Sequence, residues 1–200
     1  MTTGLLGGAF DPPHVGHVAL AEGAVARFGL DRLVVLVVAE PGHKPVATPV
    51  GERLELARAA FEEIPLAEVR LEPHAYTVDS LRVGGYGPDS TVFLVGADEF
   101  ADFLRWKEPH EILDLVRLGV ATRPGYPPER LEPVLTALRR PDRVELFEIP
   151  AVELASSDLR RRLALGEDVG DALPSAVARR IVERGLYHGA VDRLRRGELR

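Results

Sequence analysis

The chain has 200 residues, with 25 Lys+Arg against 31 Asp+Glu and a formal net charge of −6. That length fits a single domain with room for a helical appendage, and such a chain buries roughly 70 % of its unfolded surface without a covalent or metal staple. It holds no Cys, which excludes disulfides, thiolate zinc sites, iron–sulfur clusters and Cys nucleophiles.

Strand signals are short apolar runs rich in β-branched residues and bounded by Gly or Pro. The chain order is as follows. Gly4–Gly7 reads as a first strand and Val15–Phe28 as a helix stopped by Gly29. Arg32–Val38 is an unbroken apolar strand, the pattern of burial on both faces of a parallel sheet. Gly51–Ile64 is helical, Val69–Glu72 a weaker strand and Thr91–Val95 a strong one. Helices over Asp98–Trp106 and His110–Val116 precede a strand at Leu118–Thr122. A helix over Pro128–Leu138 and a strand at Val144–Ile149 follow. Ser156 or Ser157 reads as the N-cap of a helix running to Leu165, and Pro174–Glu183 ends at Gly185. The alternation predicts an α/β, Rossmann-like doubly wound parallel sheet. One domain covers residues 1–200, and about 155–200 form a small C-terminal helical part. Ligands of such sheets bind outside the strand C-termini, near the switch in strand order.

The longest apolar run, Leu33–Ala39, is far below the roughly 20 residues of a membrane span. The N-terminus lacks the basic flank of a signal peptide, so a cytoplasmic protein is expected. A mildly acidic chain does not suit contact with a nucleic-acid backbone.

Gly7-Gly8-Ala9-Phe10-Asp11-Pro12-Pro13-His14-Val15-Gly16-His17 directly follows the first strand. Glycines at a strand end allow close backbone approach to a ligand. Asp11-Pro12-Pro13 is a rigid turn, and Asp11 is read as shaping it rather than binding metal. His14 and His17 sit three apart where a helix begins, on one face, with Gly16 removing a side chain between them. The helix N-terminus adds partial positive charge and free N–H groups. The sum is a compact anion site suited to a nucleoside triphosphate. A metal site is the alternative for the histidine pair, but no HExxH or obvious third ligand accompanies it.

The segment resembles the G-G-[TS]-F-D-P-x-H-x-G-H signature of the HxGH nucleotidylyltransferases. Further segments resemble one branch, the bacterial nicotinate-mononucleotide adenylyltransferases. They are Pro41-Gly42-His43-Lys44-Pro45, Ala75-Tyr76-Thr77, Leu94-Val95-Gly96-Ala97-Asp98, Trp106-Lys107, Thr122-Arg123-Pro124-Gly125-Tyr126, Leu154–Arg160 and Gly185-Leu186-Tyr187. The likeness spans about residues 5–187. Two positions depart from it: Ala9 stands for a Thr or Ser of the first motif, and Ala155 for the first Ser of I-S-x-[ST]. Each removes a possible hydroxyl contact to phosphate and leaves the backbone donors in place.

The resemblance implies transfer of AMP from ATP to nicotinate mononucleotide, giving deamido-NAD and pyrophosphate, with Mg²⁺ arriving on the ATP. No metal site of the protein's own is expected. The implied catalytic residues are His14, His17 and Arg160. The implied ATP-binding set adds Gly8, Ala9, Phe10, Gly96, Asp98, Ser156 and Ser157. His43, Lys44, Thr77 and Trp106 are implied for the mononucleotide. Simpler roles stay open for several: core packing for Trp106, a helix N-cap for Asp98, a cap or turn for Thr77, a solvated loop for Lys44. His74, His110 and His188 are read as structural or surface residues. Expected partners are these small molecules alone, with neither nucleic acid nor membrane; a homo-oligomer and the choice between nicotinate and nicotinamide are left open. Alternatives are another HxGH enzyme such as a phosphopantetheine adenylyltransferase or a cytidylyltransferase, a non-catalytic nucleotide-binding regulator, or a histidine-metal hydrolase.

Overall fold

Each run read as a strand is a strand, buried according to its place in one sheet. The computed structural model describes residues 1–42, 46, 48–152 and 154–187. In it, β1 (Thr3–Gly8), β2 (Arg32–Val38), β3 (Ala67–Glu72), β4 (Thr91–Gly96), β5 (Arg117–Thr122) and β6 (Val144–Glu148) lie in the order β3-β2-β1-β4-β5-β6. All pairings are parallel. Parallel neighbours need crossovers, and helices supply them. They are α1 (Val15–Phe28), α2 (Val50–Phe61), α3 (Thr77–Val83), α4 (Ala97–Ala101), α5 (Pro109–Leu115) and α6 (Glu132–Ala137), with α7 (Ser156–Ala164) and α8 (Ser175–Arg184) after the last strand. This is the expected doubly wound, Rossmann-like architecture.

Alternate strand residues feed two cores. Leu6, Leu33, Val35, Val37 and Leu94 pack with α1, α2, α7 and α8. Leu5, Val34, Phe93, Val95 and Val120 pack on the opposite face with α3, α4, α5 and α6. Leu159 of α7 and Val177 and Ile181 of α8 are buried in the same core as α1 and α2. The C-terminal helices are thereby anchored beside the first strand–helix unit.

Two helix boundaries differ from expectation. The segment read as one helix over 98–106 is α4 followed by a 3₁₀ turn at Phe103–Arg105. The helix expected over 128–138 is a 3₁₀ turn, Pro128–Arg130, and then α6, which has Pro at its start. Pro lacks an N–H and is tolerated only in a first turn, so Pro133 forces a new helix start. α3 is a short helix that apolar periodicity does not delimit.

The sheet opens where the strand order reverses. β1 pairs with β2 through Gly8↔Val37, whereas its pairing with β4 ends at Leu6↔Leu94. Beyond that point Gly7, Gly8, Val95 and Gly96 diverge and form the floor of a cavity of about 570 Å³.

Candidate active site

Three features of the chain form the β1–α1 turn. The Asp11–Pro12 peptide is cis, and Phe10 has φ 49° in the left-handed region. Phe10 is 2 % exposed, its ring edge-on to Phe61 and to His17 at 5.1 Å. Burial of that ring stabilises a backbone conformation that a non-Gly residue otherwise avoids.

His14 is the extended N-cap residue of α1. Its backbone N–H donates to His17 Nδ1 at 3.1 Å, and the two rings lie 3.8 Å apart. That bond makes Nδ1 of His17 an acceptor, so in the neutral ring the proton sits on Nε2 as a donor. His14 is nearly buried; desolvation lowers its pKa from 6.5 to about 4. It is therefore neutral at neutral pH in the ligand-free protein. Its Nδ1 is buried without a hydrogen-bond partner. Gly16 suits this packing, since a Cβ there would lie 3.0 Å from His14 Nδ1 and press on the ring.

α7 closes over the same turn. Its N-cap is Ala155, not Ser156 or Ser157, which fall in its first turn. The capping expectation for the two serines is thus corrected. The Ser156 hydroxyl instead donates to the Pro12 carbonyl at 2.9 Å. Arg160 donates through one guanidinium nitrogen to the Asp11 carbonyl, and the same nitrogen lies 3.9 Å from Asp11 Oδ2. Asp11 is 1 % exposed and accepts the Tyr187 hydroxyl at Oδ1, 2.8 Å. Burial pushes the Tyr187 phenol well above its ordinary range, which keeps it a donor.

Arg53 of α2 fills the space beneath. It is 1 % exposed and donates to four carbonyls: Ala9 at 2.8 Å, Val38 at 2.8 Å, Ala39 at 2.6 Å and Thr48 at 3.1 Å. One cation thus ties the β1 turn to the segment after β2. Sequence reading passed over Arg53 because charged helix residues are usually solvated. The signal was spacing: Arg53 shares the apolar face of Leu56, Ala57 and Ala60.

The remaining walls come from the other strand ends. Gly8, Ala9, Phe10, His14, His17, Thr77, Gly96, Asp98, Trp106, Ser156, Ser157 and Arg160 all line the one cavity. His43 and Lys44 lie outside the described residues. Asp98 is not an N-cap, since Gly96 holds that position in α4. Its carboxylate instead meets the Tyr126 hydroxyl at 3.2 Å and Arg130 at 3.5 Å, at the exposed rim. Trp106 packs against Phe103 and Phe93 and still lines the cavity, so packing and a ligand-facing position coexist. Lys107 stands over the Tyr76 ring and binds Asp79 of α3, which holds the Trp106 segment beside Thr77. Among the described residues no group of three or more His, Asp or Glu is arranged to hold a metal.

A histidine pair at the first strand–helix turn and an arginine held on that same turn line one cavity at the switch point of a doubly wound sheet. The cytidylyltransferase-like family model matches residues 5–162, and the chain belongs to that family. Two relatives narrow the class. The probable nicotinate-nucleotide adenylyltransferase of Thermomicrobium roseum is 36 % identical over 194 residues, covering 92 % of this chain and 90 % of that one. The protein of the same name from Thermus thermophilus is 38 % identical over 195 residues, covering 94 % and 100 %. The chain is a member of the nicotinate-nucleotide adenylyltransferase family. A solved structure with the same fold is Plasmodium falciparum nicotinic acid mononucleotide adenylyltransferase complexed with NaAD. Its TM-score is 0.74 at 17 % identity, with 93 % of this chain and 97 % of that one covered.

Proposed function

We propose that the chain transfers AMP from ATP to nicotinate mononucleotide, forming deamido-NAD and pyrophosphate in NAD biosynthesis, with the roles divided along the cavity. A phosphate oxygen of the mononucleotide bonds to the α-phosphorus of ATP. The bond from that phosphorus to the bridging oxygen breaks, and the electron pair leaves with pyrophosphate. The nucleophile is already ionised at neutral pH, so no general base is needed to create it. The protein's task is to align two polyanions and stabilise charge on the leaving group.

The observation that carries this reading is the His14–His17 pair, 3.8 Å apart at the start of α1 and lining one cavity with Arg160. His14 and His17 would donate to the triphosphate. Arg160, with one nitrogen held by the loop, keeps further donors for the leaving phosphates. Gly8, Ala9 and Phe10 offer backbone contacts, Ser156 and Ser157 the first-turn N–H groups of α7. Gly96 and Asp98 suit the adenosine, while Thr77 and Trp106 suit the mononucleotide. Mg²⁺ on the triphosphate would screen charge between the phosphates; with no ready set of protein ligands among the described residues, it is read as arriving with ATP.

The test is pyrophosphate release with ATP and nicotinate mononucleotide, beside parallel reactions with nicotinamide mononucleotide, with phosphopantetheine, and with CTP replacing ATP. Release with ATP and the nicotinate compound is expected. Release only with phosphopantetheine or CTP would assign the site to another member of the wider family.

A further inference from the structure

The turn after α8 reaches back to the β1–α1 turn, and no step above gives it a task. α8 ends at Gly185, whose φ of 61° reverses the backbone, and the Leu186 N–H donates to the Ile181 carbonyl at 3.0 Å. The return carries Tyr187 inward with φ 63°, a left-handed value that a residue with a side chain avoids unless its surroundings compensate. The compensation is at the phenol. Its hydroxyl donates to Asp11 Oδ1 at 2.8 Å and also hydrogen-bonds the Thr48 side chain. The Thr48 carbonyl accepts Arg53 Nε at 3.1 Å. Tyr187 thereby connects Asp11 to the cation beneath the turn. α8 itself is fixed by the buried Val177 and Ile181 and by ion pairs from Arg180 and Arg184 to Glu55 and Glu52 of α2.

Asp11 is 1 % exposed, and its Oδ2 accepts no hydrogen bond among the described residues. A carboxylate so buried needs positive charge nearby. Arg160 supplies it at 3.9 Å from Oδ2, while one of its nitrogens donates to the Asp11 carbonyl. The last torsion of an Asp side chain is broad and two-fold, so the carboxylate could turn away from Arg160. The phenol bond at Oδ1 removes that freedom and leaves Oδ2 on the arginine. An arginine side chain is long and costly to order, and a donor aimed beforehand spares that cost when charge develops. We infer that Tyr187 is a positioning residue: through Asp11 it holds the Arg160 guanidinium on the β1–α1 turn, with its remaining N–H groups free for the leaving pyrophosphate. The last described turn of the chain thus sets the aim of a catalytic group. This rests on the reading that Arg160 binds the leaving phosphates.

The experiment is a double-mutant cycle on pyrophosphate release, with a melting curve on each protein to confirm that it is folded. Tyr187→Phe keeps the ring and removes the hydroxyl. Asp11→Asn keeps the shape and removes the charge. Each is made in the parent and in Arg160→Ala. Tyr187→Phe and Asp11→Asn are expected to lower kcat by about tenfold in the parent, with KM for the mononucleotide changed by no more than about twofold. In the Arg160→Ala background the same substitutions should change kcat by less than about twofold, because the group they aim is gone. If they lower kcat by the same factor in both backgrounds, they support the fold alone and the inference is wrong. It is equally wrong if Arg160→Ala lowers turnover and neither substitution does so in the parent. If Arg160→Ala itself leaves turnover unchanged, the reading of Arg160 is wrong and the inference falls with it.

Discussion

The two ends of the sheet's open edge are built differently. Around the β1 turn, the groups that hold the site in shape are buried: Arg53 and Asp11 are each 1 % exposed and bonded to backbone or to Tyr187. At the β4–β5 rim, Asp98, Tyr126 and Arg130 contact one another with the Asp98 and Arg130 side chains 59 % and 57 % exposed. On the proposed division of roles, the difference follows from what each end does. Stabilising charge on a leaving pyrophosphate demands donors fixed beforehand in a water-poor setting. A nucleoside at the rim can be bound by groups that adjust, because no bond is made or broken there.

The widest gap between the ends should appear in turnover. His14→Ala and His17→Ala are each expected to lower kcat by about 10²–10³, the range for removing one donor to developing charge, with little change in thermal unfolding. Steady-state pyrophosphate release and a melting curve on each variant check this; normal turnover in both would remove the histidines from the mechanism. Arg53→Met should come next. It strands four carbonyls, so a loss of about 3 kcal/mol or more in urea unfolding is expected, with higher KM for both substrates. An Arg53→Met protein as stable as the parent would mean the turn is held by something else.

A pH series sharpens the same contrast. The native pKa of His14 is about 4 against 6.5 when unfolded, so the unfolded chain binds more protons between those values. The associated stability is complete above about pH 6.5 and is lost as pH falls toward 4, by about 3 kcal/mol in total. His14→Asn should flatten that part of the stability–pH curve, which unfolding at stepped pH would reveal. Smallest of all, Arg130→Ala at the rim should alter stability by less than about 1 kcal/mol, because exposed ion pairs contribute little. A larger loss would show that the rim is braced more firmly than its exposure suggests.

Much of this was legible in the residues. Unbroken β-branched runs such as Arg32–Val38 imply a strand buried on both faces, and the Gly-Gly…His-x-Gly-His segment implies an anion site before any partner is known. The helix limits at 98–106 and 128–138 were less legible: Pro133 restarts the second, while the first turns from α4 into a 3₁₀ turn with no Pro or Gly to mark the break. Glu72 and Arg53 escaped notice, and His74, which donates to the buried Glu72, was read only as a structural or surface residue, for a different reason. Their roles depend on burial, and for Arg53 on partners as far away in the chain as Ala9; its place on the apolar face of α2 was the one signal available.

The sequence by itself therefore determined the alternation of strand and helix, the parallel sheet and the glycine–histidine turn after the first strand, because these follow from local periodicity and backbone preference. Only the tertiary structure decided that Arg53 lies beneath that turn, that α7 closes on it through Ser156 and Arg160, and that the Tyr187 hydroxyl reaches Asp11. Those contacts join segments up to 176 residues apart, as in Tyr187 to Asp11. Chain packing, which satisfies each buried charge with whatever donors and acceptors the fold brings near, is what selects them.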